Sequence, residues 1–344
     1  MSGPDPATAA TRVAVRALLA ECAPGDVVLV ACSGGADSLA LAAAAAFESP
    51  RLGLRAGATV VDHQLQPDSA AVAARAAQAC RELGLDPVEV AAVDVPASAA
   101  GVEAAARTAR YAALSQAADR HRARLVLLGH TLDDQAEQVL LGLTRGAGAR
   151  SLAGMPRARD RFRRPLLGVS RAQTRASCAA LGLAWWDDPM NEDRAYTRVR
   201  ARTALADLEA DLGPGVAAAL ARTADQLRED ADLLDALAAH AVAALGAGPW
   251  PVDELTGLPR PVRTRVWRRL AVAAGAPAGQ VSARHTEACD ALLTRWHGQG
   301  PVSLPGPLLA SRAGGRVSID APDRVEWGRT PHTDAPPTDA PSQE

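Results

Sequence analysis

The 344 residues contain no lysine: all 37 Lys and Arg positions are arginine. An internal Schiff base is therefore excluded. So is the Walker A phosphate loop, which needs a Lys after its last glycine. Aromatic residues make up only 3%, so the 48% apolar share has to build its core from Ala, Leu and Val. The five cysteines, Cys22, Cys32, Cys80, Cys178 and Cys289, are scattered, odd in number and never spaced C-x-x-C. That argues against a disulfide framework or a zinc knuckle, and free thiols suit a reducing cytosol. The apolar run Leu39 to Phe47 is too short to span a bilayer. Residues 1–20 lack the layout of a signal peptide. The expectation is a soluble, cytoplasmic protein with no membrane partner. The formal net charge is −2, so a nucleic acid would have to be met by local basic patches rather than a global field.

What is present is an alternation. Short apolar runs at 27–31, 58–61, 88–93 and 125–128 read as buried strands. Ala-rich segments at 38–47, 68–83, 102–120 and 131–143 read as helices between them. This order predicts an α/β fold, a doubly wound parallel sheet covered on both faces. Ligands of such sheets bind beyond the carboxyl ends of the strands. Residues 1–24 form a helical lead-in, 25–205 the nucleotide-binding catalytic domain, 206–245 a helical connector and 246–321 a smaller, mainly helical substrate domain. The Pro-, Thr-, Asp- and Ser-rich tail 322–344 has the composition of a disordered segment.

The first strand ends in Cys32-Ser33-Gly34-Gly35-Ala36-Asp37-Ser38, where the next helix starts. Two glycines let the backbone approach a ligand closely. Ser33 and Ser38 bring hydroxyls, and the helix N-terminus brings free N–H groups. This is a phosphate cradle without Lys. Asp37 would repel bare phosphate unless Mg²⁺ bridges the two. A plain Gly-Gly turn capped by Asp37 or Ser38 is the alternative. At the second strand's end, Asp62 and His63 are placed for an adenosine, although a lone histidine there is more often half-buried packing.

The fourth strand runs into Gly129-His130-Thr131-Leu132-Asp133-Asp134-Gln135-Ala136-Glu137. Thr131 fits an N-cap with Asp134 three residues on. Asp134 and Glu137 share one helix face, where two carboxylates suit an ammonium group or a metal. A capping box beside a solvated face is the plain alternative.

The hexapeptide Ser33–Ser38 resembles the S-G-G-x-D-S loop of the PP-loop ATP pyrophosphatases. The second motif resembles G-H-T-x-D-D-Q-x-E of the tRNA(Ile)-lysidine synthetase family. Further likenesses follow: Glu103, Arg107, Arg110 and Tyr111; Arg145-Gly146-x-Gly148; Arg164-Pro165-Leu166-Leu167; Asp188-Pro189-x-Asn191; and Arg198-x-Arg200-x-Arg202. They cover about residues 25–240, more weakly to about 320. Two departures stand out: Gln66 where the family usually has Arg, and Val199 where it usually has Asn. The resemblance implies ATP as co-substrate with Mg²⁺ and, as partners, free L-lysine and the isoleucine tRNA with a CAU anticodon. The wobble cytidine would be adenylated on O2, and lysine would then displace AMP at C2. Asp37, His130, Asp134 and Arg202 become the expected catalytic residues, with Asp37 as metal ligand. Ser33, Gly34, Gly35, Ala36, Asp37, Ser38 and Asp62 would hold the nucleotide. Arg107, Arg110, Asp134, Glu137 and Arg200 would bind the substrates.

Two arginine runs are candidate RNA contacts. One spans Arg157 to Arg164 beside Phe162, which suits a single-stranded loop. The other comprises Arg260, Arg263, Arg265, Arg268 and Arg269 around Trp267. Trp185 and Trp186 read as core.

Overall fold

A computed structural model describes residues 3–96, 101–146, 148–191 and 193–322. The tail expectation from 323 onward lies outside these residues. The chain divides into two compact units, 1–229 and 230–344.

The first unit begins with α1 (Pro6–Leu19), β1 (Val27–Ala31), α2 (Ala36–Glu48), β2 (Arg55–Asp62), α3 (Ser69–Glu82), β3 (Val88–Ala92) and α4 (Val102–Arg120). It continues with β4 (Ala123–Leu128), α5 (Leu132–Thr144), α6 (Ala149–Leu152), β5 (Ala158–Arg159), β6 (Phe162–Arg163), α7 (Arg171–Ala180) and α8 (Thr197–Leu212). A long helix, α9 (Val216–Leu245), contains the division between the units. The sheet order is β3-β2-β1-β4-β6-β5. Every pair is parallel except β5 with β6. The strands expected at 27–31, 58–61, 88–93 and 125–128 are β1 to β4, and both faces of the sheet are covered. On one face, Val28, Val30 and Leu127 pack with Leu39, Ala40 and Ala44 of α2, Ala76 and Ala77 of α3, and Val15 and Leu19 of α1. On the other, Leu29, Val126 and Leu128 pack with Leu114, Ala117 and Ala118 of α4. The alanines are the point: Ala40, Ala42 and Ala45 are fully buried. Their small side chains let the helix lie close to the sheet, so few aromatics are needed to fill it.

β1 lies between β2 and β4: the chain steps outward from β1 to β2 and β3, then crosses back to place β4 on the other side of β1. That strand-order reversal opens a crevice at the carboxyl ends of β1, β2 and β4. The loops following those three strands carry the three motifs read from the sequence.

The second unit adds β7 (Trp250–Pro251), α10 (Val252–Thr256), α11 (Arg260–Ala273), α12 (Ala283–Thr294), β8 (Val302–Leu304), β9 (Leu308–Ala313) and β10 (Arg316–Asp320). Its helices are joined by a four-stranded antiparallel sheet, β7-β10-β9-β8, that the sequence reading left unassigned. The arginine run on α11 is mostly turned to internal links. Trp267 is only 1% exposed. Arg265 pairs with Asp235 at 3.0 Å, Arg269 donates to the Asp235 carbonyl at 3.1 Å, and Arg268 donates to the carbonyls of Val281 and Ala278. Arg263 makes a two-pronged pair with Asp290, both groups being buried. Arg263→Ala strands the Asp290 carboxylate, which costs about 3–5 kcal/mol. A denaturant melt of the variant should show that loss. A shift under about 1 kcal/mol would mean water solvates Asp290.

Candidate active site

The loop after β1 is held in shape by its own serines. Ser38 Oγ donates to the Gly35 carbonyl at 2.9 Å and accepts the Ser33 N–H at 3.1 Å. Gly34 has φ +83°, and a Cβ there would come within 3.1 Å of the Ala76 Cβ. Only glycine suits that position. Gly129, the first residue after β4, packs so closely that a Cβ would stand 3.2 Å from the Ser38 backbone nitrogen. The two motifs thus touch through backbone. From the other side, the Trp186 N–H donates to the Gly34 carbonyl at 3.0 Å.

Beside the loop lies a cavity of about 200 Å³, lined among others by Ser33, Asp62, His63, Gln66, Trp186 and Met190. Asp62 is 7% exposed and accepts the Gln64 N–H at 2.9 Å. Gln66 reaches Asp188 at 3.4 Å, so the first departure from the family pattern contacts the D-P-x-N motif. Trp185 packs on the core and donates to Asp187, whereas Trp186 faces the cavity.

The helix after β4 starts as expected. Thr131 caps α5, and Asp134 Oδ2 returns to the Thr131 N–H at 2.8 Å. The capping box and the functional site are one object, because the other oxygen of Asp134 meets Arg171 Nη2 at 3.0 Å. The same Nη2 lies 3.3 Å from Glu137 Oε1, and Arg171 Nε lies 3.7 Å from Asp37 Oδ2. Glu137 is 3% exposed and is also bound by Arg202 Nε at 2.9 Å. Asp37 accepts from the Thr174 hydroxyl. Burial holds the Asp37 carboxyl above its usual range, against the lowering effect of Thr174. Asp37, Asp134, Glu137 and Arg202, far apart in sequence, are thus brought together around Arg171. The sequence reading missed Arg171. Its one cue was a helix start, Ser170 with Gln173 forming a capping box.

His130 borders a cationic zone. Burial pushes its imidazole down to about 3, with Arg164, Arg110 and Arg107 working in the same direction against Asp134. It is therefore uncharged at neutral pH, and its buried Nδ1 has no protein partner. Burial, with Arg110 adding to it, likewise lowers His63. Arg107 and Arg110 stand 5.3 and 5.8 Å from the Tyr111 ring centroid, and Arg164 donates to the Tyr111 hydroxyl at 3.0 Å. The site therefore has two poles, one rich in carboxylates and one rich in arginines.

Other expectations fare differently. Arg200 is turned back on the carbonyls of Arg194 and Ala195, both at 2.8 Å. The Arg157–Arg164 run is largely paired internally: Arg157 with Asp225, Arg161 with Asp119, Arg163 with Glu21, while Arg164 is buried. Each has an acidic or polar neighbour that the linear sequence does not show. The side chain of Glu103 lies outside the described residues.

A parallel sheet whose first strand runs into a lysine-free phosphate loop and whose crevice gathers carboxylates defines an enzyme of the PP-loop class, and the PP-loop domain family matches residues 8–209. The TilS substrate binding domain matches residues 251–318. The tRNA(Ile)-lysidine synthase of Thermobifida fusca is 54% identical over 93% of this chain and 100% of its own length. That of Streptomyces coelicolor is 52% identical over 92% and 99%. The chain belongs to the tRNA(Ile)-lysidine synthase family. The fold is shared more widely: the U34-tRNA thiolase NcsA of Methanococcus maripaludis, at 18% identity, superposes with a TM-score of 0.55 over 65% of this chain and 80% of its own.

Proposed function

We propose that this chain ligates L-lysine to C2 of the wobble cytidine of a CAU-anticodon tRNA(Ile), through an adenylated tRNA, releasing pyrophosphate and AMP. The observation that carries this reading is the meeting of the phosphate loop with Asp37, Asp134 and Glu137 in one crevice. An ATP-splitting loop and a cation-binding site would then serve the same base, the first at O2 and the second at C2. Family membership and the names of the relatives support the same reading.

In the first half-reaction, the cytidine O2 bonds to the α-phosphorus and the α–β phosphoanhydride bond breaks. The backbone and hydroxyls of Ser33–Ser38 hold the departing pyrophosphate. The cavity beside Asp62 and Trp186 takes the adenosine. Among the described residues, no cluster of three His, Cys, Asp or Glu side chains forms a closed metal cage. A partly exposed Asp37 at the loop fits Mg²⁺ as it is usually held, through one carboxylate plus substrate phosphates. When bound, the ion neutralises phosphate charge. Arg202, fixed through Nε on Glu137, is the candidate to face charge at the α-phosphate, ahead of Arg200.

In the second half-reaction the lysine ε-amine bonds to C2, and the C2–O bond breaks with AMP leaving. Asp134 and Glu137 hold the ammonium by charge-assisted hydrogen bonds. Asp134, as a carboxylate beside the amine, would take the proton the amine must lose, ahead of His130. His130, kept uncharged beside the arginines, contributes hydrogen bonding rather than charge. Arg107 and Arg110 meet RNA phosphates, a role suited to guanidinium. All five cysteines are free, and no helix among the described residues is long and apolar enough to cross a membrane.

The test is pyrophosphate release with matched and mismatched tRNAs, with and without lysine, beside incorporation of labelled lysine into tRNA. The reading requires release dependent on the CAU-anticodon tRNA and incorporation dependent on ATP. Release without any tRNA, or sulfur transfer in place of lysine incorporation, would defeat it.

A further inference from the structure

Asp134 and Glu137, the pair assigned to the lysine ammonium, already hold a cation. Arg171 Nη2 is shared between them at 3.0 and 3.3 Å, and Nε lies 3.7 Å from Asp37. A lysine ammonium therefore cannot take both carboxylates while Arg171 stays where it is. Resting on the amine-site reading above, we propose that Arg171 is a resident counter-ion of that site, exchanged for the substrate ammonium when bound nucleotide offers its guanidinium another anion.

Three features carry the exchange. The first is charge. Glu137 is 3% exposed, and a carboxylate so buried is costly without cations. Arg202 Nε holds the same Glu137 oxygen, Oε1, at 2.9 Å, so Glu137 keeps a partner while Arg171 is replaced by an ammonium of equal charge. The exchange leaves the charge beside the two carboxylates unchanged, and a neutral side chain of similar length cannot complete it. That makes Arg171 a specificity device as well as a filler.

The second feature is the pivot. The Arg171 main-chain N–H donates to Asp133 Oδ2 at 2.7 Å, and α7 is pinned to the start of α2 through Thr174 on Asp37 and Cys178 Sγ on the Ala36 carbonyl. The Cα is anchored, so an exchange falls to the long side chain, which is 19% exposed.

The third is the destination. Asp37 stands in the phosphate loop, so Arg171 Nε is already at the edge of the nucleotide site. Phosphate oxygens there offer a bidentate guanidinium partner stronger than a contact at 3.7 Å. Nucleotide binding would draw Arg171 toward the loop and clear the amine site, so that lysine binds well only after ATP has arrived.

Coupling of this kind is reciprocal and measurable. The experiment is calorimetric titration of L-lysine into the full-length protein with Mg²⁺, with and without a saturating non-hydrolysable ATP analogue. In the wild type the analogue should tighten lysine binding about tenfold, within the usual range for coupled sites. In Arg171→Gln, lysine should bind without nucleotide at least as tightly as the wild type does with it, and the nucleotide effect should fall below about twofold. Arg171→Lys keeps the charge and should keep most of the coupling. A wild type whose lysine affinity ignores nucleotide overturns the proposal without needing any variant to fold. So does a folded Arg171→Gln that retains the full coupling, or that binds lysine more weakly at every nucleotide concentration. Labelled lysine entering tRNA in the absence of coupling would sink the exchange alone and leave the ligase reading intact.

Discussion

Asp37→Asn should slow pyrophosphate release by a factor on the order of 10²–10³ while leaving the protein as stable as the wild type, or slightly more so. The two halves of that result have one physical origin. Burial raises the Asp37 carboxyl above its usual range, only partly relieved by the Thr174 hydroxyl and by Arg171. A group with a raised carboxyl pKa is harder to ionise in the folded protein than in the unfolded one. Its charge therefore costs stability at neutral pH, above the unfolded value, and the cost fades as pH falls. Asparagine keeps the shape without that cost. Arg171 retains Asp134 and Glu137 as partners, so no cation is stranded. Activity has no such substitute. The amide cannot hold Mg²⁺ against the phosphates, and losing one such electrostatic contribution typically costs on the order of 10²–10³ in turnover. AMP formation measured beside a thermal melt decides it. Near wild-type turnover in a folded variant removes Asp37 from the metal role, and a collapsed melting temperature makes it a structural residue.

The parts of this site that the sequence exposes are the parts built by local chemistry. A buried strand followed at once by Ser33-Gly34-Gly35-Ala36-Asp37-Ser38 shows itself, because loop, helix start and close backbone approach are all written within a few residues. The same holds for Thr131 and Asp134, whose capping spacing places the carboxylate before any tertiary structure is known. Arg171 is written differently. It comes 37 residues after Asp134, at the start of an otherwise ordinary helix, and its role arises only when α7 packs on α1 and α2 and so brings its first residue to the start of α5. The arginine runs mislead for the converse reason. Arg265 on α11 meets Asp235 on α9, and Arg161 meets Asp119 on α4, so partners distant in sequence turn an apparent basic patch into internal ion pairs. The second sheet escaped only in part through strand length: β9 and β10 have six and five residues around the Gly314-Gly315 turn, a hairpin the sequence reading passed over. β7 has two residues and β8 three, too few for an alternating pattern to stand out. Gln66 and Asp188 show how a departure from a family pattern is absorbed: the amide contacts a neighbouring motif.

Removing charge from the amine pair should separate the two half-reactions. Asp134→Asn and Glu137→Gln keep shape but lose charge-assisted pairing, worth roughly 1.5–3 kcal/mol per bond. That corresponds to roughly one to two decades in lysine KM or in turnover of the second step. Adenylated tRNA should accumulate when lysine is scarce. The structure predicts that the two variants differ. Asp134 also closes the α5 capping box through Oδ2, so Asp134→Asn should lose about 1 kcal/mol of stability as well. Glu137 caps nothing, but it holds both Arg171 and Arg202. Glu137→Gln should therefore loosen Arg202 and slow adenylation modestly, while Asp134→Asn spares it. Adenylation and lysine transfer, measured separately with a melt for each variant, distinguish the outcomes. A variant pair that loses stability yet keeps its lysine KM would reduce Asp134 to a helix cap. A pair that fails equally at adenylation, with lysine dependence unchanged, would move this helix to the phosphate side of the reaction and leave the ammonium without its carboxylates.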